Sequence, residues 1–361
     1  MLSQLAQHPP SPAATRETAA RSSPTNIKAQ AERPPRRRLA GHPHLPARWA
    51  IVPQGTAAAS CMACSPFALG ERLGVDDVTA AQAYYVCLLF YVGCTADADI
   101  AAEIFRDDAS VLTHVTPVMF GSPREMTAGI LRALAPPEEP AMRRVVDLAR
   151  RFPRAARHYR PHQTAICEVA RMLTDRLGLP ASIHSLFAYL AERWDGSGNG
   201  HVKGDEIPLA VRIAHVARDA AFHCERGGVE NAAEVVRARA GRAFDPAIAS
   251  LVTGHAHDIL AVADGASVWD EALAREPGPF LILQDEELDR AMATIGDFAD
   301  LSSPYLAGHS SGVAALAVRA AERCRLDAGT LAMLRRAAFM HDLGRVIVPV
   351  RVWQKPQAHD R

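Results

Sequence analysis

From about residue 50 onward, apolar side chains recur at steps of three and four, Ala, Leu, Arg and Glu dominate, and period-two runs of Val, Ile and Thr are missing. A strand turns successive residues to opposite faces, whereas a helix gathers i, i+3 and i+4 on one stripe, so this pattern selects helices. The chain is expected to be all-α. Its 361 residues suffice for a substantial core and more than one unit. Residues 1–48 differ in kind: they are rich in Pro, Ser, Ala and Thr, carry Arg36-Arg37-Arg38, and hold few large apolar side chains before Leu39. Such a stretch cannot bury enough apolar surface to offset its ordering entropy, and it reads as a disordered tail.

Charge and composition exclude several classes. Forty basic residues meet 40 acidic ones for a net charge of zero, so no global field steers the chain to nucleic acid or an anionic membrane. The Arg run reads as part of the solvated tail, and no DNA-binding module is expected within the chain. Only Lys28, Lys203 and Lys355 are lysines, a compositional bias from which no function is read. No stretch approaches the roughly 20 apolar residues of a membrane span, and no charged-then-apolar leader opens the chain, so a cytoplasmic protein without membrane partners is expected. The seven Cys (61, 64, 87, 94, 167, 224 and 324) are odd in number and scattered, which suits reduced thiols. Cys61-x-x-Cys64 lacks a second ligand pair at zinc-finger distance and reads as buried thiols.

Helix punctuation divides the rest. Asp76 and Asp77 fit the start of a helix through Ala80–Tyr91, with Gly93 at its end. A helical block over 162–178 stops at Gly178-Leu179-Pro180 and restarts through Ile183–Arg193. The Gly-rich turn "WDGSGNGHVKGDEIP" (194–208) follows, and Pro208 opens a helix over 209–224. Residues 256–292 read as a connector with short helices, and a last unit begins near Met292.

A repeat lies within this punctuation. Laid without gaps on "LDAGTLAMLRRAAFMHDLGR" (326–345), "VDDVTAAQAYYVCLLFYVGC" (75–94) matches Asp76 to Asp327, Thr79 to Thr330 and Gly93 to Gly344. The mismatches carry the meaning: His341-Asp342 falls on Phe90-Tyr91, and Arg345 falls on Cys94. One copy keeps polar groups where the other has aromatic rings.

"SPYLAGHSSGVAALAVRAAERCRLDAGTLAMLRRAAFMHDLGRVIVP" (303–349) resembles the opening half of the HD superfamily of metal-dependent phosphohydrolases, in its HD-GYP branch. "AERWDGSGNGHVKGDEIPLAVRIAHVARDA" (191–220) is similar to the closing half of the same domain. The resemblance implies a helical HD-type bundle and hydrolysis of a phosphodiester or nucleotide, including the cyclic dinucleotides. It implies His309, His341 and Asp342 as metal ligands, Asp342 as the catalytic carboxylate bridging two ions, and Arg345 in place of a phosphate-contacting Lys. The Arg keeps the charge but offers a planar fork instead of a point charge. Imidazole and carboxylate suit Fe or Mn, with Zn and Mg left open.

The first copy departs from the pattern at each checkable ligand. Besides Phe90-Tyr91 and Cys94, the paired His reads Leu190-Ala191, Gly-Tyr-Pro reads Gly198-Asn199-Gly200, and a late metal Asp coincides with Arg218. It reads as a pseudo-enzyme. His215, Asp219 and His223 share a helix face at i, i+4 and i+8; they could hold one metal, but an ion-paired polar face is the reading taken. His257-Asp258 lacks the Gly-basic-Pro sequel and reads as a decoy. The second copy has its first ligands, while the family's later ones would lie beyond Arg361, so a truncated, inactive or feebly active chain is expected. Its exposed apolar face would favour self-association, a homodimer included. The expected organisation is thus a tail (1–48), a degenerate HD-GYP-like domain (49–255), a connector (256–292) and the opening hairpin of a second HD domain (293–361). Relatives of this arrangement commonly end in a LuxR-type helix-turn-helix and act in signalling. The competing expectation is a non-enzymatic module that senses a nucleotide or a protein partner.

Overall fold

The computed structural model describes residues 66–93, 101, 104–105, 110–135, 139–200, 202–260, 275–278, 282–348 and 352. Arg36–Arg38, Cys61, Cys64 and Cys94 lie outside these. Chain contacts divide the molecule into Met1–Ala47 and Arg48–Arg361, and all the described residues belong to the second of these units. They are helical, with no strand among them and only an isolated bridge between Ala240 and Phe244.

The first half is built around one buried helix. In chain order come α1 (Pro66–Leu73), α2 (Asp77–Leu88), α3 (Pro123–Leu134), α4 (Ala141–Arg176), α5 (Leu209–Arg239), α6 (Pro246–Gly254) and α7 (Ala256–Leu260). On α5 every residue from Ala210 to Phe222 except Arg212 is buried, which makes it a core helix rather than an amphipathic surface one. Its small residues Ala210, Ala214, Ala217 and Ala221 and the larger Ile213 and Val216 share one hydrophobic core with Phe90, Phe120 and Phe244. Each fully buried large apolar side chain contributes roughly 1.5–3 kcal/mol of transfer free energy.

Local boundaries differ from the pattern reading where tertiary contacts compete. The helix after Asp76 ends at Leu88, ahead of Tyr91, and gives way to tight turns. The helix over 162–178 is the end of the much longer α4. Ile183–Arg193 forms a short helical turn (Ala181–His184) and a 3-10 turn (Ser185–Tyr189) in place of a continuous helix, and the Leu190 carbonyl turns to the ring of His215 at 3.2 Å. Conversely α5 runs past residue 224 to Arg239, broken only by the non-helical backbone of Gly228 (φ 82°, ψ 179°).

The last part is a three-helix arrangement of α8 (Asp285–Asp300), α9 (His309–Arg323) and α10 (Ala328–Met340). α8 begins at Asp285, ahead of Met292. It lies against α10 at Gly296, where a β-carbon would meet the Phe339 carbonyl at 2.6 Å. Asp289 fixes the same contact through Arg335 at 3.0 Å and Arg336 at 2.5 Å.

The repeat holds bond for bond. Before α2, Gly74 (φ 64°) donates to the Glu71 carbonyl and Val75 to Gly70; before α10, Arg325 (φ 56°) donates to Glu322 and Leu326 to Ala321. Asp76 then caps Thr79 at 2.7 Å and Asp327 caps Thr330 at 3.0 Å, with matching cap dihedrals of φ −71°, ψ 162° and φ −70°, ψ 162°.

Candidate metal and phosphate site

Two helix ends build the site. α9 and α10 form an antiparallel hairpin, so the first residue of α9, His309, lies beside the turn that closes α10, His341-Asp342. Gly308 enters α9 through a left-handed backbone (φ 74°) that a glycine adopts without strain. The first turn of α9 is clamped from α8: the buried Asp300 carboxylate accepts from the Ser310 amide and the Ser310 hydroxyl, each at 2.8 Å. Asp297 accepts from the Ser311 hydroxyl at 2.8 Å. A carboxylate at a helix N-terminus satisfies open amides and meets the positive end of the helix dipole. These two acids hold His309 in place, and the pattern reading missed them because the partners lie on different helices.

The ligand atoms converge on one carboxylate oxygen. Asp342 Oδ2 lies 3.4 Å from His309 Nε2, 3.6 Å from His341 Nε2 and 2.8 Å from an Arg345 nitrogen. One donor atom from each of His309, His341 and Asp342 falls within 4.8 Å of the others. His341 Nδ1 stands 2.7 Å from the Ala338 carbonyl; a carbonyl only accepts, so Nδ1 carries a proton and Nε2 is the ring nitrogen turned to the cluster. The Arg345 guanidinium, aided by both imidazoles, holds the Asp342 carboxyl below the usual carboxylate range. Two imidazole nitrogens and one ionised carboxylate on a half-exposed face form a donor set that fits a divalent ion such as Fe, Mn or Zn.

In the first copy the corresponding place is closed. Phe90 is buried, and Tyr91 accepts a hydrogen bond at 2.5 Å from Nε of Arg218, itself only 1 % exposed. The guanidinium carbon lies 5.4–5.8 Å from the rings of Phe90, Tyr91, Phe120 and Phe222. Asp219 bridges Arg218 and Arg239, while the Thr116 and Pro117 carbonyls accept from the same two guanidiniums. The three residues sharing a face of α5 therefore do not converge: His215 turns to Leu190, His223 to the Pro117 carbonyl, and Asp219 is occupied by arginines. The expected ion-paired face is an ion-paired core. His257-Asp258 is spent on surface pairs with Glu230 and Arg72.

The sequence matches no family profile. Its likeness is to phosphodiesterases. It is 26 % identical over 306 residues to the 3'3'-cGAMP-specific phosphodiesterase 3 of Vibrio cholerae serotype O1, an alignment that takes in 80 % of this chain and 63 % of that protein. This chain thus spans less than two thirds of its curated relative. The fold is shared with the crystal structure of a cyclic GMP-AMP-specific phosphodiesterase of V. cholerae, at a TM-score of 0.57 and 21 % identity, over 86 % of this chain and 74 % of that one. No helix among the described residues is long and apolar enough to cross a membrane.

Proposed function

We propose that the α9–α10 hairpin is the ligand-bearing part of a divalent-metal phosphohydrolase of the HD-GYP kind, acting on a phosphodiester of the cyclic-dinucleotide class in a cytoplasmic signalling role. One observation carries this reading: His309, His341 and Asp342 present their donor atoms to one another while Arg345 sits on the same carboxylate oxygen. The specificity named for the curated relative supports the substrate class. His309 and His341 are assigned as neutral ligands, Asp342 as the anionic ligand and catalytic carboxylate, and Arg345 as the cation for the phosphoryl oxygens. When bound, a divalent ion supplies an acidified water and positive charge for the phosphate; Fe and Mn are the first choices, Zn and Mg the next. Exposed Leu316 and Met333 on the hairpin are consistent with a homodimer.

The test is a calorimetric Mn²⁺ titration with hydrolysis of 3'3'-cGAMP and a generic phosphodiester followed in parallel. His341→Ala should weaken Mn²⁺ binding by about tenfold or more and abolish turnover. Metal binding that ignores this change would remove the assignment. A second reading, a non-enzymatic nucleotide sensor, draws on the closed first copy; it predicts nucleotide binding without metal and without His341.

A further inference from the structure

We propose that the first half carries a metal-independent nucleotide site: a cleft of about 810 Å³ in which the phosphate of the ligand takes the place of the Glu125 carboxylate on Arg239. This deepens the sensor reading above. The volume falls in the range of small-molecule sites, about 300–1,000 Å³. The walls are the start of α3, the Gly-rich loop around Ser197–Asn199 and the last turns of α5. Met119, Phe120 and Val235 give the lining an apolar part, and three arginines line the same cleft, Arg193, Arg239 and Arg242, of which Arg193 is already paired with Asp195 and Ser197.

Arg239 is the fixed point. Asp219 and the Pro117 carbonyl hold it, so it cannot swing to meet a ligand or leave one. What covers it from the cleft side is Glu125, a half-exposed carboxylate whose Oε1 stands 3.5 Å away, while its Oε2 accepts from the Ser122 amide at 2.7 Å in a capping box. Glu125 therefore caps α3 with one oxygen and rests a loose charge on Arg239 with the other. A phosphate, carrying more charge and more acceptor oxygens, competes well for a guanidinium held in this way. Arg242 is exposed on the turn after α5 and adds a second cation at the mouth. Asp195 and Glu234 also line the cleft; they repel bare phosphate and accept from hydroxyl or amino groups. Cations, carboxylates and an apolar part of the lining together describe a nucleotide better than an inorganic anion.

The experiment uses the full chain carrying His341→Ala, in EDTA, so that the hairpin site contributes nothing; hydrolysis by the unsubstituted chain with Mn²⁺ is measured separately. Saturable calorimetric binding of 3'3'-cGAMP is expected, with pyrophosphate and adenosine each weaker. Arg242→Glu should weaken binding by about tenfold. Glu125→Gln, which keeps the capping box, should tighten it by about threefold. Both positions are exposed, and unchanged melting temperatures would confirm that each variant folds. No saturable binding in EDTA, equal binding of pyrophosphate, or an affinity indifferent to both substitutions would each overturn the proposal. Loss of hydrolysis with binding retained would sink only the phosphohydrolase reading.

Discussion

The ends of α2 and α10 start from the same capped turn and finish in opposite surroundings. At the end of α10, His341 and Asp342 face a half-exposed site with a third donor from α9. At the end of α2, Phe90 and Tyr91 enclose a guanidinium supplied by α5. A cation stands against both helix ends if the hairpin takes a metal, but in the first copy it is covalently attached. A tethered charge needs no ion from solution and leaves no open coordination position. Buried arginine is tolerable there because Asp219, Tyr91 and the Thr116 carbonyl accept its donors and four rings line its faces.

The strongest way to break this comparison is to remove the tethered cation. Arg218→Ala leaves Asp219 buried with a single arginine partner and empties the aromatic cage; a loss of about 3–5 kcal/mol in urea unfolding is expected. Arg218→Met, which restores bulk without charge, should recover only part of it. In the open copy, Asp342→Asn should cost less than about 1 kcal/mol, because its ion pairs are half-exposed. If the two sites respond alike, the first is not held by its internal charge.

A smaller effect tests whether the second end is open. A β-carbon on Gly93 would strike the Ile166 carbonyl at 2.1 Å, whereas at Gly344 nothing lies within 4 Å. Gly93→Ala should therefore destabilise by about 2–3 kcal/mol through overpacking against α4, and Gly344→Ala by less than about 0.5 kcal/mol. Equal costs at the two glycines, read from denaturant midpoints, would show that the helix ends are packed alike.

Much of this contrast is legible in the residues and part of it is not. Helical periodicity, the capping aspartates Asp76 and Asp327, and the His-Asp pair are local signals, and local signals survive without knowledge of the fold. The aromatic replacement at Phe90-Tyr91 is equally plain. What fills the closed site is not, because Arg218 meets Tyr91 across 127 positions of sequence. The Asp300 clamp on Ser310 and the turn of His215 toward Leu190 have the same origin: the partners are chosen by packing. The helix expected over 209–224 runs on to Arg239 past a kink at Gly228, because residues on both sides of the kink, Phe222 and then Ala232 and Val236, are buried.

Acid should separate the halves next. Burial pushes His215 down to about 3, and burial also lowers His223, so the folded chain refuses protons that the unfolded chain accepts near pH 6.5. The stability these groups confer is complete above that pH and is lost as pH falls below it, for His215 over the range from 6.5 toward 3, by about 1.4 kcal/mol per pH unit for each proton withheld. The Asp342 carboxyl, below its usual range, acts only lower on the scale, its contribution fading as pH falls through the carboxylate region. Urea midpoints should therefore fall between pH 7 and 5, and His215→Gln should flatten their slope. A slope unchanged by that substitution would place the acid sensitivity elsewhere.

The smallest expected effect concerns the turn the copies share. Gly74 takes its left-handed conformation freely, but Arg325 adopts the same backbone with a β-carbon, at a local cost of about 1–2 kcal/mol. Part of the relief in Arg325→Gly is offset by the larger entropy of glycine in the unfolded chain, which leaves a net gain of about 0.5 kcal/mol. Gly74→Ala should lose about 1 kcal/mol for the converse reason. Opposite signs at the two positions, measured by thermal unfolding, would show that the turns are one structure built from different residues. A loss at both would mean that the Arg325 side chain contributes more through its contacts than its backbone costs, and that the copies diverge before α10 begins.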